Sequence, residues 1–281
     1  MAHISGRSLV TSLAILVVAA GVFGQSGTER GRVEFTVMLT PASGRPEPAR
    51  GLTVFLLRKT FRDIRREAEE KTPQPSLDAF VEPLNVSKEL KGWMKQHHSV
   101  TISGPEFRRL LVPDDLFKVP EFLSAYVASN LSGLHQGFPE PHYSPEDRLN
   151  NPKKYEAAMK TYEPQLRHYL AANPDSLEGM DTILNQIDPT PGWQIMLGRW
   201  REEARQNALA AAQTRYLAAK TDTNLDGRGA FEAEPGSYAL STLDGEALSG
   251  DLHLRWDVPV EVRASSVARV ELNNLNAEKR P

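Results

Sequence analysis

Hydrophobic and polar positions divide the chain into three zones. In "VEFTVML", Val33, Phe35, Val37 and Leu39 recur at every second position, the period of a strand with one buried face. "PASGRPEPARG" then concentrates proline and glycine as a connector, and "LTVFLL" reads as a second, more deeply buried strand. From residue 60 to about 212 the period lengthens to that of a helix. Phe61, Ile64 and Ala68 share one face, and Tyr155, Met159, Tyr162, Leu166 and Tyr169 form a longer stripe. Ser87 is placed to cap one helix, and Ser103 with Glu106 three residues on makes a capping-box pattern. Pro113, Pro120 and Asn151-Pro152 cut the zone into separate helices, and Pro164 is expected to kink the one carrying the tyrosine stripe. From residue 213 alternation resumes. Leu252, Leu254, Trp256, Val258 and Val260 lie on one face, followed by Val267, Val270 and Leu272 with a break in register.

Neither strand zone buries a face alone. Two strands at the front are too few, and about five at the back make an incomplete sheet pair. Together they make about seven, enough for a small sandwich of roughly 100 residues. The expected fold is therefore α+β: an antiparallel seven-stranded β-sandwich from residues 32–59 plus 213–275, interrupted by a helical insertion over 60–212 and followed by a polar tail, 276–281. Such an insertion is tolerated where the two ends of a loop lie close together. Three consecutive small domains would leave the front hairpin without a partner.

The N-terminus changes the picture of location. A lone Arg7, an apolar run over residues 9–23 and small residues around Gly24 form the layout of a secretory signal peptide, residues 1–24. The run is shorter than the ~20 residues of a spanning helix, so no membrane insertion is expected after cleavage. The 281-residue chain has no cysteine, which excludes a disulfide framework. Its formal charge is −3. Such a balance argues against nucleic acid as a partner. A periplasmic or secreted protein is expected.

The strand zones also carry short motifs in a definite order: "GRPEPARGLTVFLL", "TDTNLDGRGAFEAEPGSYAL" and "VPVEVRASSVARVELNNLN". This order resembles the carboxypeptidase regulatory-like (transthyretin-like, prealbumin-type) domain of exported bacterial proteins. The matching positions are Thr221, Asp222, Gly229, Phe231, Pro235, Gly236 and Tyr238. The resemblance implies a transthyretin/Ig-like sandwich. It departs from the pattern in the longer "TNLDGRG" turn and in the long helical excursion. It brings no catalytic residues with it, so the fold can be borrowed and the function cannot.

Candidate chemistry is sparse. Asp222, Asn224, Asp226 and Gly227 begin an EF-hand-type loop, yet the twelfth position is Ala233 where a bidentate Glu is needed. The segment reads first as a hairpin turn and second as a weak calcium site; no other cofactor is indicated. The histidines show no H-x-x-H or H-E-x-x-H spacing. There is no G-x-S-x-G, no catalytic cysteine and no glycine-rich phosphate loop. The proline-rich "QGFPEPHYSPED" instead offers Phe138, His142 and Tyr143 as a recognition surface for a protein or glycan. Asn130-Leu-Ser and Asn85-Val-Ser have the spacing of glycosylation acceptors. The expectation is an exported, non-catalytic interaction or structural module. The alternatives are an extracytoplasmic hydrolase with its site at the insertion–sandwich junction, or a weakly calcium-stabilised structural module.

Overall fold

A computed structural model of the chain describes residues 29–41, 44–132, 137–144, 146–249 and 252–279. The expected signal peptide lies outside them. The fold is mixed α/β, with about 46% helix and 22% strand in several sheets, none closed. The helical segment therefore outweighs the sheets.

Strand β1 (Gly31–Leu39) is the spine of the first sheet. The short β2 (Glu47–Pro48) pairs with its end, and β3 (Thr53–Leu57) starts the second sheet. Beyond the helices come β4 (Leu217–Asp222), β5 (Arg228–Ala233), β6 (Gly236–Ser241), β7 (Ala247–Ser249), β8 (Leu252–Arg255), β9 (Asp257–Val262), β10 (Val267–Leu272) and β11 (Glu278–Lys279). Strand β1 pairs antiparallel with β5, Phe35 opposite Gly229, and parallel with β10, Phe35 opposite Val270. The second sheet runs β4-β3-β6-β9, and β11-β8-β7 form a third. Strands from the two ends of the chain thus interleave in both main sheets.

Among the described residues eleven strands in three sheets stand where seven were expected, and one pairing is parallel. The surplus has local causes. "LHLRWDVPVEV" divides at Trp256, whose N–H donates to Thr242 Oγ1 (3.1 Å) and whose indole N–H donates to the Asn273 carbonyl (2.9 Å). That side chain is only 1% exposed, so the strand breaks in order to bury it. Residues 278–279 of the expected tail pair with β8, and Glu278 forms ion pairs with Arg62 and Arg255.

Odd-numbered positions of β1, as the alternation required, point into the sheet core with Val54, Leu56, Phe231, Leu240, Leu254, Trp256 and Leu272. Gly229 is demanded by that packing: a Cβ there would sit 2.3 Å from the Phe35 ring, which stacks on Phe231 at 5.4 Å.

Between β3 and β4 lie helices α1 (Phe61–Lys71), α2 (Leu77–Val81), α3 (Lys88–His97), α4 (Gly104–Leu110), α5 (Pro113–Lys118), α6 (Pro120–Ser132), α7 (Asp147–Asn150), α8 (Pro152–Ala172), α9 (Met180–Leu184) and α10 (Thr190–Gln213). Ser87 caps α3 as expected, accepting from the Leu90 N–H at 3.0 Å. Ser103 makes no cap bond; its hydroxyl donates to Asp188 Oδ2 instead, at 2.7 Å. Helix α8 runs through Pro164. Helices α2 to α9 enclose their own core around Trp93, Phe107, Phe122, Tyr126, Tyr162 and Leu166. A third, smaller core of Leu57, Phe61, Ile64, Ala208, Ala212 and Leu243 joins α1 and α10 to the sheets. No helix among the described residues is long and apolar enough to cross a membrane.

One side chain ties the two parts together. Asp257, the first residue of β9, accepts hydrogen bonds from the N–H groups of Phe61 (2.8 Å) and Arg62 (2.9 Å) at the start of α1. Thr60 Oγ1 takes the third free N–H, from Asp63 at 3.2 Å. Three of the four open donors of the helix end are thus satisfied by side chains. Asp257→Ala is expected to lower stability by about 1–2 kcal/mol, the scale of a lost N-terminal cap, read as a drop in the urea midpoint at unchanged slope. A drop no larger than that of an exposed Glu232→Ala control would show that the clamp contributes nothing.

Candidate functional site

The turn that begins with Asp222 is built by side chain–backbone bonds. Asn224 Oδ1 accepts from the N–H groups of Asp226 (2.9 Å) and Arg228 (2.8 Å), and Gly227 supplies the positive φ of 70° that the turn requires. Asp222 Oδ1 accepts from Thr53 Oγ1 at 2.6 Å, across the β3–β4 pair. Thr223, which no motif marked, is buried and stitches the turn to the connector: it accepts from the Leu52 N–H and donates to the Ala49 carbonyl. The three oxygens considered for calcium are thus divided between a strand pair, a turn and an exposed Asp226. Among the described residues no group of three or more His, Asp or Glu is placed to hold a metal.

At the junction between sheets and helices, Lys59, Glu67 and Tyr216 form one cluster. Lys59 Nζ pairs closely with Glu67 Oε1, and the Tyr216 hydroxyl donates to Glu67 Oε2 at 2.6 Å. The hydrogen bond from Lys59, supported by that from Tyr216, holds the Glu67 carboxyl down at about 2, and the same bond raises Lys59. A general acid needs its carboxyl raised toward the working pH, and a nucleophilic lysine needs its amine lowered. Both shifts run the other way. The cluster is a locked ion pair beside a small cavity of about 230 Å³, and gives the hydrolase reading no acid or base.

A broad concavity lies on the outer face of the first sheet, where Glu34 pairs with Arg32 (3.1 Å) and Arg269 (3.4 Å). Among the described residues it holds no exposed aromatic side chain to grip a ligand.

The helical segment contains a different kind of opening. A groove of about 330 Å³ runs between α6, α7, the start of α8 and the 137–144 loop. Leu123, Val127, Ala128 and Leu131 form one wall, and Pro141, Tyr143, Leu149 and Tyr155 the other. Leu131 and Leu149 are 50% and 86% exposed at its lips, apolar surface that no other described residue covers. The three recognition residues separate here. Phe138 turns into the helical core, edge-on to Tyr126 (5.7 Å) and Tyr169 (5.1 Å). His142 is exposed. Tyr143 lines the groove, with its ring between Tyr155 (5.1 Å) and Tyr162 (5.6 Å). Burial raises the Tyr143 phenol to about 12 and raises Tyr155 as well.

The loop is positioned from below: the Tyr162 hydroxyl donates to the Pro139 carbonyl at 3.0 Å. Asp147 accepts from the Ser144 N–H and pairs with Lys154, both at 2.9 Å, which seats α7 beside α8. Sequence reasoning missed Leu131, Arg148 and Leu149. Their only signal was apolar residues at positions where a helix end or short helix should face water. Asn130 is buried and its amide donates to the carbonyls of Tyr126 and Ser176, so that glycosylation acceptor is closed.

Comparison with known proteins adds no identity: no family model matches the chain, and no significant match came from the curated proteins or the solved structures.

Two outcomes follow from this geometry. Asn224→Ala leaves two turn N–H groups without their acceptor and is expected to cost about 1 kcal/mol, with the melting midpoint insensitive to added calcium in either form. Glu67 has a depressed folded value, so its contribution is complete above its ordinary value of 4.5 and is lost as pH falls toward about 2. Glu67→Gln should therefore flatten the acid limb of the urea midpoint across that window; an unchanged limb refutes the linkage.

Proposed function

We propose that the protein is an exported, non-catalytic binding module, a carboxypeptidase regulatory-like sandwich whose helical segment holds an apolar ligand group in the α6–α8 groove. The observation that carries this reading is the pair of exposed leucines, Leu131 and Leu149, at the lips of a groove walled by valine, leucine and tyrosine. Removing such surface from water contributes about 25 cal/mol per Å², so a ligand that covers it is favoured. Of the two partner classes the sequence left open, apolar walls support a protein or small apolar group over a glycan, whose hydroxyls need polar partners. The locked Lys59–Glu67 pair supports a non-catalytic role for the junction. Export rests on the N-terminal pattern of residues 1–24.

The test is saturation binding of the neutral fluorescent probe N-phenylnaphthylamine. Wild type should bind one equivalent. Ala128→Trp, at an exposed position of the groove wall, should weaken binding by about tenfold or more. Ile195→Ser on the exposed flank of α10 should leave it unchanged. Absence of saturable binding, or equal binding by Ala128→Trp, rejects the reading.

A further inference from the structure

The groove also carries polar donors among its lining residues. The hydroxyls of Tyr126, Tyr162 and Tyr216 each have a hydrogen-bond partner. Those of Tyr143 and Tyr155 have none among the described residues, although both side chains are partly buried and their rings meet edge-on at 5.1 Å. Neither hydroxyl is sealed from water, so both stand open to a ligand at the groove surface.

Arg148 lines the same groove. Its ion pair among the described residues is a single contact with Glu89 at 3.5 Å, longer than the 2.7–2.9 Å of a good charge-assisted bond. Its charge also acts on the Tyr155 phenol, opposing the rise that burial causes. Among the described residues no acidic side chain lines the groove. Two phenols and a guanidinium therefore line a largely apolar groove and offer it hydrogen-bond donors.

Resting on the binding reading above, we infer that the groove takes a monocarboxylate with an apolar tail. The carboxylate accepts hydrogen bonds from Tyr143, Tyr155 and Arg148, and the tail lies along Leu123, Val127 and Leu131. A planar guanidinium matches a carboxylate in charge and geometry. The volume of about 330 Å³ sits at the lower end of small-molecule sites, ~300–1,000 Å³. That size fits a medium-length chain and not a long-chain lipid.

The experiment displaces N-phenylnaphthylamine from the full chain with decanoate or with decanol, which share a tail and differ in head group. Wild type should release the probe to decanoate at about tenfold lower concentration than to decanol, the scale of a charge-assisted hydrogen bond. Arg148→Gln, and separately Tyr143→Phe with Tyr155→Phe, should bring the two ligands to near parity by weakening decanoate alone. Equal displacement by both ligands in wild type overturns the carboxylate assignment and leaves the groove reading standing. So does a decanoate preference that survives Arg148→Gln. Failure of the probe itself to bind rejects both. Should the double Phe variant fail to fold, Arg148→Gln decides, since Arg148 is at the rim with its side chain 37% exposed.

Discussion

Strands β1 and β3 present apolar faces that the described residues before the helices do not cover. Val33, Phe35, Val37, Val54 and Leu56 are each 2% exposed or less, and the strands that pair beside them, β4, β5, β6 and β10, all lie beyond residue 216. The chain must therefore leave the sheets and return to the same place. It does so at a single point, where the Arg58 N–H donates to the Tyr216 carbonyl at 2.8 Å. Closing a long loop costs only slightly more entropy than closing a short one. Between the two ends an entire helical assembly with its own core is accommodated.

That closure shapes everything attached to it. Helices α1 and α10 leave and re-enter the sheets side by side, so they pack along their length and build the small junction core. The polar groups there serve the join: Asp257 caps α1, Lys59 and Tyr216 hold Glu67, and Arg205 pairs with Asp244. Their charges and hydrogen bonds join the two bodies. The helical assembly is free of that duty. Its α6–α8 face keeps exposed leucines, and phenols with no hydrogen-bond partner among the described residues, surface that a ligand can cover.

Much of this was legible along the chain because the signals are local. The alternation at Val33, Phe35, Val37 and Leu39 and the stripe through Tyr162, Leu166 and Tyr169 lie on buried faces where their periods place them. The cap at Ser87 and the helix starts at Pro113, Pro120 and Pro152 depend on neighbours within a turn. Ser103 shows the limit: an identical cap signal was overridden when Asp188, 85 residues away, offered its carboxylate. The D-x-N-x-D-G start was likewise readable as a turn or a calcium loop until Asn224 was found holding two backbone N–H groups.

By itself the sequence determined which segments are strands and which are helices, which faces are apolar, and that front and back strands each lack partners. Periodicity and turn chemistry are written in consecutive residues. Only the tertiary structure decided the parallel β1–β10 pairing, the extra sheet around Trp256, and the sorting of the 137–144 loop into a core residue, Phe138, an exposed His142 and a groove residue, Tyr143. It alone brought Arg148, Leu149 and Tyr155 opposite Leu123 and Leu131. Those contacts join residues that no shared period connects, and they are set by which surfaces meet when three cores close at once.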